Sequence, residues 1–228
     1  MATKQNSRAM AVLFTAVLCI SVFAGSAARA QLTATAGGQA VYDSGKNVTW
    51  LANANLATIQ TFGVTTINPD GSMDYTTAQN WIAAMNSSAY LGSSQWAMPT
   101  TAIPDNSCSQ SPKTSSFGYE CTGSQLGDLY YNKLGGIKGS TIDLTHNSDF
   151  SLFTNFQPYL YWSGTTWTKV ANSAFSFSFG NGFQGTNVFV NAMYVIAVAP
   201  GKVLNATLPV HPGSRNCGSR PNGYNTCE

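Results

Sequence analysis

The chain has 228 residues, of which 43 % are hydrophobic and only 9 % are charged, and its formal net charge is +2. Three basic residues, Lys4, Arg8 and Arg29, precede residue 31, which leaves eight basic residues against nine acidic ones in the rest of the chain. That near-neutral remainder lacks the basic stripe that a nucleic-acid surface requires, so we expect no nucleic-acid partner. The length is sufficient for one domain that buries its own core.

The first thirty residues have the pattern of a secretory signal peptide. Lys4 and Arg8 precede an apolar run from Met10 to Gly25, which is shorter than the roughly 20 residues of a membrane-spanning helix. Ala28-Arg29-Ala30 then supplies a small-x-small cleavage site. We expect cleavage after Ala30, a secreted or periplasmic mature chain and no membrane span after cleavage. An uncleaved membrane anchor is the alternative.

Four cysteines follow the predicted signal peptide: Cys108, Cys121, Cys217 and Cys227. In an oxidising compartment an even number of cysteines indicates disulfides. Short loops favour the pairs Cys108–Cys121 and Cys217–Cys227. Free thiols or a metal site are the alternative, although no Cys-x-x-Cys spacing is present.

The region between the signal peptide and residue 90 predicts a hairpin, a turn and a helix. Residues 38–51 read as two short strands around a turn at 43–47, and Asn68-Pro69-Asp70-Gly71 is a β-turn signal. A Thr-x-x-Gln capping box at 76–79 predicts the start of a helix that ends near 86–87. One face of this helix is apolar and carries Ala78, Trp81, Ile82 and Met85.

A second capping box at 122–125 predicts a second helix, which Gly135-Gly136 would end. Its apolar stripe, which we expect to be buried, contains Leu126, Leu129, Tyr130 and Leu134.

The last third of the chain is predicted to be β structure. Residues 175–179 alternate Phe and Ser, which is typical of a half-buried strand. A turn at 180–182 follows, and residues 187–200 predict one further strand. Residues 204–228 form a tail that contains a cysteine pair and no periodicity.

Seven stretches of the chain resemble, in order, the bacterial family named after the C-terminal domain of collagen-like surface proteins, Lcl_C. They are VYDSGKNVTWLANAN, YTTAQNWIAAMN, SQWAMPT, CTGSQLGDLYYNKLGG, FTNFQPYLYWSGTTW, AFSFSFGNGFQG and YVIAVAPG. The resemblance implies a C-type-lectin-like fold that is also related to formylglycine-generating enzymes. It would be a compact α+β domain over residues 31–203, with two helices packed on short antiparallel strands. Ala97 and Ala199 stand where the family's pattern has arginine, so any anion contact made by those arginines in relatives is absent here.

The stretch LYWSGTTW at 160–167 contains the main ligand candidates. We expect Trp162 in the core and Tyr161 on the opposite face of the pleated strand, with Trp167 in the loop beyond it. Aromatic faces combined with short polar side chains suit sugar binding. The predicted ligand-binding residues are therefore Tyr161, Trp167, Tyr131, Asn172, Asn181 and Gln184, with Asn187 beside them. The alternative for each of them is a core position or a solvated loop end.

Metal and catalytic motifs are weak in this sequence. Asp70 and Asp74 are the candidates for a calcium site, but no complete calcium-binding loop is present and we expect no cofactor. His146 and His211 are isolated, and Asp43 and Asp128 would form a carboxylate pair only if the fold brought them together. We expect an exported, non-catalytic binding or adhesion module for a glycan or a surface component. A structural or assembly module that contacts a surface protein is the alternative, followed by an unrecognised enzyme.

Overall fold

The structure is a computed structural model that describes Met1 and residues 31–110 and 115–204. The predicted signal peptide, the predicted Cys217–Cys227 disulfide, His211 and the tail beyond residue 204 lie outside the described residues. Within the described ranges, no helix combines the length and the apolar character that a membrane span requires.

Two antiparallel sheets form the framework of the described chain. The strands are β1 (Leu32–Thr35), β2 (Ala40–Asp43), β3 (Val48–Leu51), β4 (Leu160–Thr166), β5 (Ser173–Ser178), β6 (Gln184–Val188) and β7 (Val198–Pro200). The first sheet has the strand order β1-β2-β3-β7 and the second the order β4-β5-β6. The two ends of the domain lie close together, because Thr35 Oγ1 at the end of β1 donates to the Val203 carbonyl at 2.7 Å.

The two predicted helices are present. The first, α1, spans Tyr75–Ser87. The second, α2, begins as an α-helix over Gln125–Gly127 and continues as a π-helix over Asp128–Lys133. Short 3₁₀ turns lie at Ala36–Gly38, Leu56–Thr58, Tyr90–Gly92 and Ser148–Leu152. The α+β class predicted from the sequence is confirmed.

The start of α1 differs from the prediction. Asp74 caps the helix, since the Thr77 N–H donates to its Oδ1 at 2.7 Å, and Thr76 already lies inside the first turn. A carboxylate is as good a cap as a hydroxyl and also complements the positive end of the helix dipole. The apolar stripe is buried as predicted and consists of Ala78, Trp81, Ile82 and Met85.

Asp74→Ala is therefore expected to lower the free energy of unfolding by about 1 kcal/mol. The matched control is Thr76→Ala, which should change it by less than about 0.5 kcal/mol because Thr76 is exposed and is not the cap. Urea denaturation followed by circular dichroism measures both. Equal losses in the two variants would contradict the assignment of the cap.

The prediction that the Phe/Ser strand is half-buried is wrong. All six residues of β5 are buried, because it is the central strand of its sheet and both faces are covered. On one face Phe177 packs against Tyr130 of α2, with ring centroids 5.5 Å apart. On the other face, the Ser176 hydroxyl accepts a hydrogen bond from Asn187 Nδ2 of β6 at 2.8 Å. The residue opposite Ser176 in β4 is the fully buried Trp162.

The single strand predicted over 187–200 is also wrong. β6 ends at Val188, where the chain turns and Asn191 N–H donates to the Val188 carbonyl at 3.1 Å. The chain then crosses between the sheets and joins the first sheet as β7, which pairs with β3. Residues 195–199 are buried on this crossing, which explains why their composition predicted a strand.

Candidate functional site

Trp162 is a core residue, as predicted. It is fully buried, and its indole Nε1–H donates to the Met73 carbonyl at 3.0 Å. Its ring packs nearly perpendicular to that of Tyr75, with centroids 5.3 Å apart. Trp162 therefore connects the second sheet to the start of α1 and is closed to ligands.

The surface position expected for Tyr161 is wrong. The side chain is fully buried, and its hydroxyl accepts a hydrogen bond from Gln157 N–H at 2.8 Å. Burial raises the pKa of this phenol well above its ordinary value. Tyr161 does point away from Trp162, but Phe179 and Tyr194 cover that face as well, with ring centroids 5.0 and 5.6 Å from that of Tyr161.

Trp167 is the half-buried aromatic residue of the loop between β4 and β5. Its N–H donates to the Ser173 carbonyl at 2.8 Å and closes the loop. The indole packs nearly perpendicular to Phe117 and Phe175, with ring centroids 5.2 and 5.3 Å away. Lys169 places its Nζ 5.3 Å from the centroid of the indole ring, within the range of a cation–π contact. These contacts hold the ring in place while part of it remains open to solvent.

Asn172 lies in the same loop as Trp167 and is exposed. Its φ of 51° is in the left-handed region, which Asn tolerates better than most residues. Its backbone carbonyl accepts a hydrogen bond from Phe189 N–H at 2.7 Å. Trp167, Lys169 and Asn172, together with Phe117 and Phe175 beneath the indole, form what we call the Trp167 platform.

Tyr131 and Asn181 lie together, but at the other end of β5 from the Trp167 platform. The Tyr131 hydroxyl donates to the Gly182 carbonyl at 2.8 Å, and burial raises the pKa of Tyr131 to about 12. The Asn181 side chain accepts a hydrogen bond from Phe183 N–H at 3.0 Å. The residues predicted as one ligand site therefore divide between two ends of the sheet.

Gln184 is buried, and its predicted role at the surface is wrong. Its Nε2 donates to the Ser116 carbonyl at 2.8 Å, and its backbone pairs with Gly118. Gln184 thus fastens the loop that contains Phe117 to the edge of β6. The predicted Cys108–Cys121 disulfide closes the same loop. Phe117 was missed as a site residue because nothing in the loop composition distinguishes it.

Removing the Cys108–Cys121 disulfide by a double substitution to serine is expected to lower the free energy of unfolding by about 3 kcal/mol, the entropy estimate for a loop of about this length. The matched control replaces Cys217 and Cys227 with serine. Chemical denaturation of the purified 31–228 chain without reductant measures both variants. The shorter loop that a Cys217–Cys227 bridge would close predicts a smaller loss in the control, so a larger loss in the control than in the Cys108/Cys121 variant would contradict this ranking.

The two calcium candidates have local structural roles. Asp70 accepts hydrogen bonds from Ser72 N–H at 2.9 Å and from Ser72 Oγ at 2.7 Å, within the predicted turn. Those hydrogen bonds lower the pKa of Asp70. Asp74 caps α1. Calcium binding there stays a prediction.

The carboxylates considered for catalysis are both engaged in ion pairs. Asp43 accepts a hydrogen bond from Lys133 Nζ at 2.9 Å inside the protein. Asp128 lies 3.8 Å from Lys46 Nζ. His146 is exposed and stacks on Phe150, with ring centroids 4.3 Å apart. The described residues thus give these groups structural contacts, and no nucleophile lies against them in a hydrogen bond.

Comparison with known proteins identifies a family. The sequence model of the family described as the Lcl C-terminal domain matches residues 39–199, which is well over half of the chain and runs from β2 into β7. Comparisons with curated proteins and with solved structures found no match. Ala97 and Ala199 lie within the matched range and on neighbouring segments, because Ala97 pairs with Val198. The chain belongs to the Lcl C-terminal domain family.

Proposed function

We propose that this chain is an exported, non-catalytic binding module that recognises a glycan or another polar surface component through the Trp167 platform. The observation that carries the proposal is the half-exposed indole of Trp167, which is fixed by Phe117 and Phe175 and bordered by the polar residues of its own loop. A ring that is already ordered loses little conformational entropy when a ligand binds.

The chemistry of the platform suits a polyol. The apolar C–H face of a sugar ring can pack on an aromatic face, while amide and ammonium groups bond to its hydroxyls. Asn172 and Lys169 would supply those groups beside Trp167. Trp167 is half-buried and its neighbours Lys169 and Asn172 are exposed, an arrangement that suits a residue within a polysaccharide better than an enclosed small molecule.

A C-type-lectin-like fold and export are parts of the same proposal. The lectin-like fold is supported by the α+β architecture and by the hydrogen bond between Thr35 and Val203, which holds the domain ends together. Export is supported by the signal-like pattern of the first thirty residues and by the presence of a disulfide.

A protein partner is the second candidate, and three valines beside the platform favour it. Val170, Val188 and Val190 are exposed. Ser173 connects the first two, since its Oγ donates to the Val170 carbonyl at 2.7 Å and its backbone pairs with Val188. Adjacent exposed apolar side chains are typical of protein-binding surfaces.

The first test is binding of the purified, oxidised 31–228 chain to a broad glycan array, with calcium and again with EDTA. Trp167→Ala should weaken any specific signal by at least about tenfold, equivalent to about 1.4 kcal/mol of binding free energy. The matched control is Tyr159→Ala, an exposed aromatic residue at the opposite end of β4, which should bind like the wild type.

Each alternative outcome has a defined meaning. A blank array in both conditions would contradict glycan recognition, and self-association or pull-down experiments with Val190→Asp would then test the protein-partner candidate. Loss of the signal in EDTA alone would assign a role to calcium and direct mutagenesis to Asp70 and Asp74.

A further inference from the structure

A small cleft lies between the β2–β3 turn and the first turn of α2. Its volume is about 180 Å³. This volume is sufficient for several water molecules or for one small organic molecule. The lining residues are Lys46, Val48, Trp50, Gly123, Ser124, Gln125 and Asp128.

Trp50 has an indole N–H without an acceptor. The residue is 2 % exposed, and among the described residues its Nε1 is the buried side-chain nitrogen or oxygen that has no hydrogen-bond partner. Three other buried indoles each donate to a backbone carbonyl: Trp81 to Gln60, Trp96 to Tyr90 and Trp162 to Met73. An unpaired buried donor costs about 1–3 kcal/mol, and Trp50 is one of the residues that line the cleft.

Two opposite charges lie on the same cleft. The Asp128 side chain is 9 % exposed and the Lys46 side chain 49 % exposed, and their charged atoms are 3.8 Å apart, which is too long for a hydrogen bond. Asn132 Nδ2 donates to the Asp128 carboxylate at 2.7 Å. A carboxylate accepts up to about four hydrogen bonds, so Asp128 has the capacity for a ligand donor.

This set of groups selects a ligand that is itself a zwitterion. A simple anion would meet Lys46 and the indole N–H favourably, but it would be repelled by Asp128. A simple cation would be attracted by Asp128 but repelled by Lys46. A neutral polyol would leave both charges without a charged partner. A molecule with a carboxylate and an ammonium group matches all three protein groups at once.

We propose that this cleft binds a free α-amino acid. The ligand carboxylate accepts hydrogen bonds from Trp50 Nε1–H and the Lys46 ammonium, and the ligand ammonium donates to Asp128. Val48 and the Trp50 ring form an apolar wall for the ligand side chain, and the small volume restricts that side chain to small or medium size. Occupation of the cleft would also link the β2–β3 turn to α2.

The test uses the indole signal of Trp50 in a ¹H–¹⁵N spectrum of the labelled, oxidised 31–228 chain. The chain has five tryptophans, and Trp50→Phe identifies the signal. Titration with glycine, L-alanine and L-leucine up to about 10 mM, a range that detects millimolar dissociation constants, should shift it saturably for at least one of them. Acetate and glycinamide, which each lack one of the two charges, should shift it at least about tenfold more weakly.

Variants separate ligand binding from a structural effect. Lys46→Gln, at a side chain that is about half exposed, should weaken the apparent affinity by at least about tenfold, and Asp128→Asn should do the same if it folds. The matched control is Lys169→Gln, which changes a lysine of the Trp167 platform and should leave the titration unchanged. No saturable shift with any of the three amino acids, or equal shifts with acetate, would overturn the proposal. A blank glycan array would leave it standing.

Discussion

Lys133→Met is expected to lower the free energy of unfolding by about 3–5 kcal/mol, because it leaves the Asp43 carboxylate buried without its counter-ion. The Lys133 and Asp43 side chains are 9 % and 2 % exposed, and Nζ lies 2.9 Å from Oδ1. The same carboxylate oxygen accepts hydrogen bonds from the N–H groups of Gly45 and Lys46 at 2.9 and 3.3 Å. Urea denaturation of the oxidised 31–228 chain at neutral pH measures the loss.

Two controls isolate the uncompensated charge as the cause. The double variant Asp43→Asn/Lys133→Met should recover at least about 1.5 kcal/mol of the loss, since it removes both charges. Lys138→Met breaks the ion pair between Lys138 and Glu120, in which both side chains are about half exposed. It should change the free energy of unfolding by less than about 0.5 kcal/mol. A loss in Lys133→Met no larger than that in Lys138→Met would contradict the argument.

The buried ion pair has a clear place in the fold. It joins the end of β2 to the last turn of α2, between residues 90 positions apart in the sequence. The cleft that contains Trp50 lies between the same two elements, because Lys46 follows β2 and Asp128 begins the π-helical part of α2. Weakening the ion pair should therefore loosen the walls of the cleft as well as the fold.

The parts of the fold that the sequence predicted correctly are those set by local periodicity. The stripe at i, i+3, i+4 and i+7 identified the buried face of α1, and the hairpin of β2 and β3 followed from its turn residues. The alternation in β5 misled because serines suggest solvent, whereas a central strand can bury serines when they find hydrogen-bond partners, as Ser176 does.

The candidate site shows the same division between local and distant contacts. Trp167 and Asn172 lie together because one short loop contains both. Phe117 joins them through a contact across 50 positions of sequence, and the cleft brings Trp50 to Asp128 across 78 positions. Contacts of this kind depend on how the sheets and helices pack, and no local pattern records them. Tyr161 was misplaced for the same reason, since the distant Tyr194 segment covers it.

Truncation of the two tryptophans of LYWSGTTW should destabilise the protein by very different amounts. Trp162→Ala is expected to lower the free energy of unfolding by about 3–5 kcal/mol, because it empties a fully buried position and leaves the Met73 carbonyl without its indole donor. Trp167→Ala removes a half-exposed ring from contact with Phe117 and Phe175 and should cost only about 1 kcal/mol. Parallel urea denaturation of the two variants measures the difference.

The comparison also decides how a loss of binding is interpreted. If Trp167→Ala keeps its stability within about 1 kcal/mol of the wild type and loses its ligand, the indole is a contact residue and the platform is a binding surface. If instead Trp167→Ala is destabilised as much as Trp162→Ala, the ring acts mainly as a cover for Phe175, which is fully buried beneath it. A loss of ligand in that variant would then reflect a disordered loop, and the exposed valines beside it would become the better candidate for recognition.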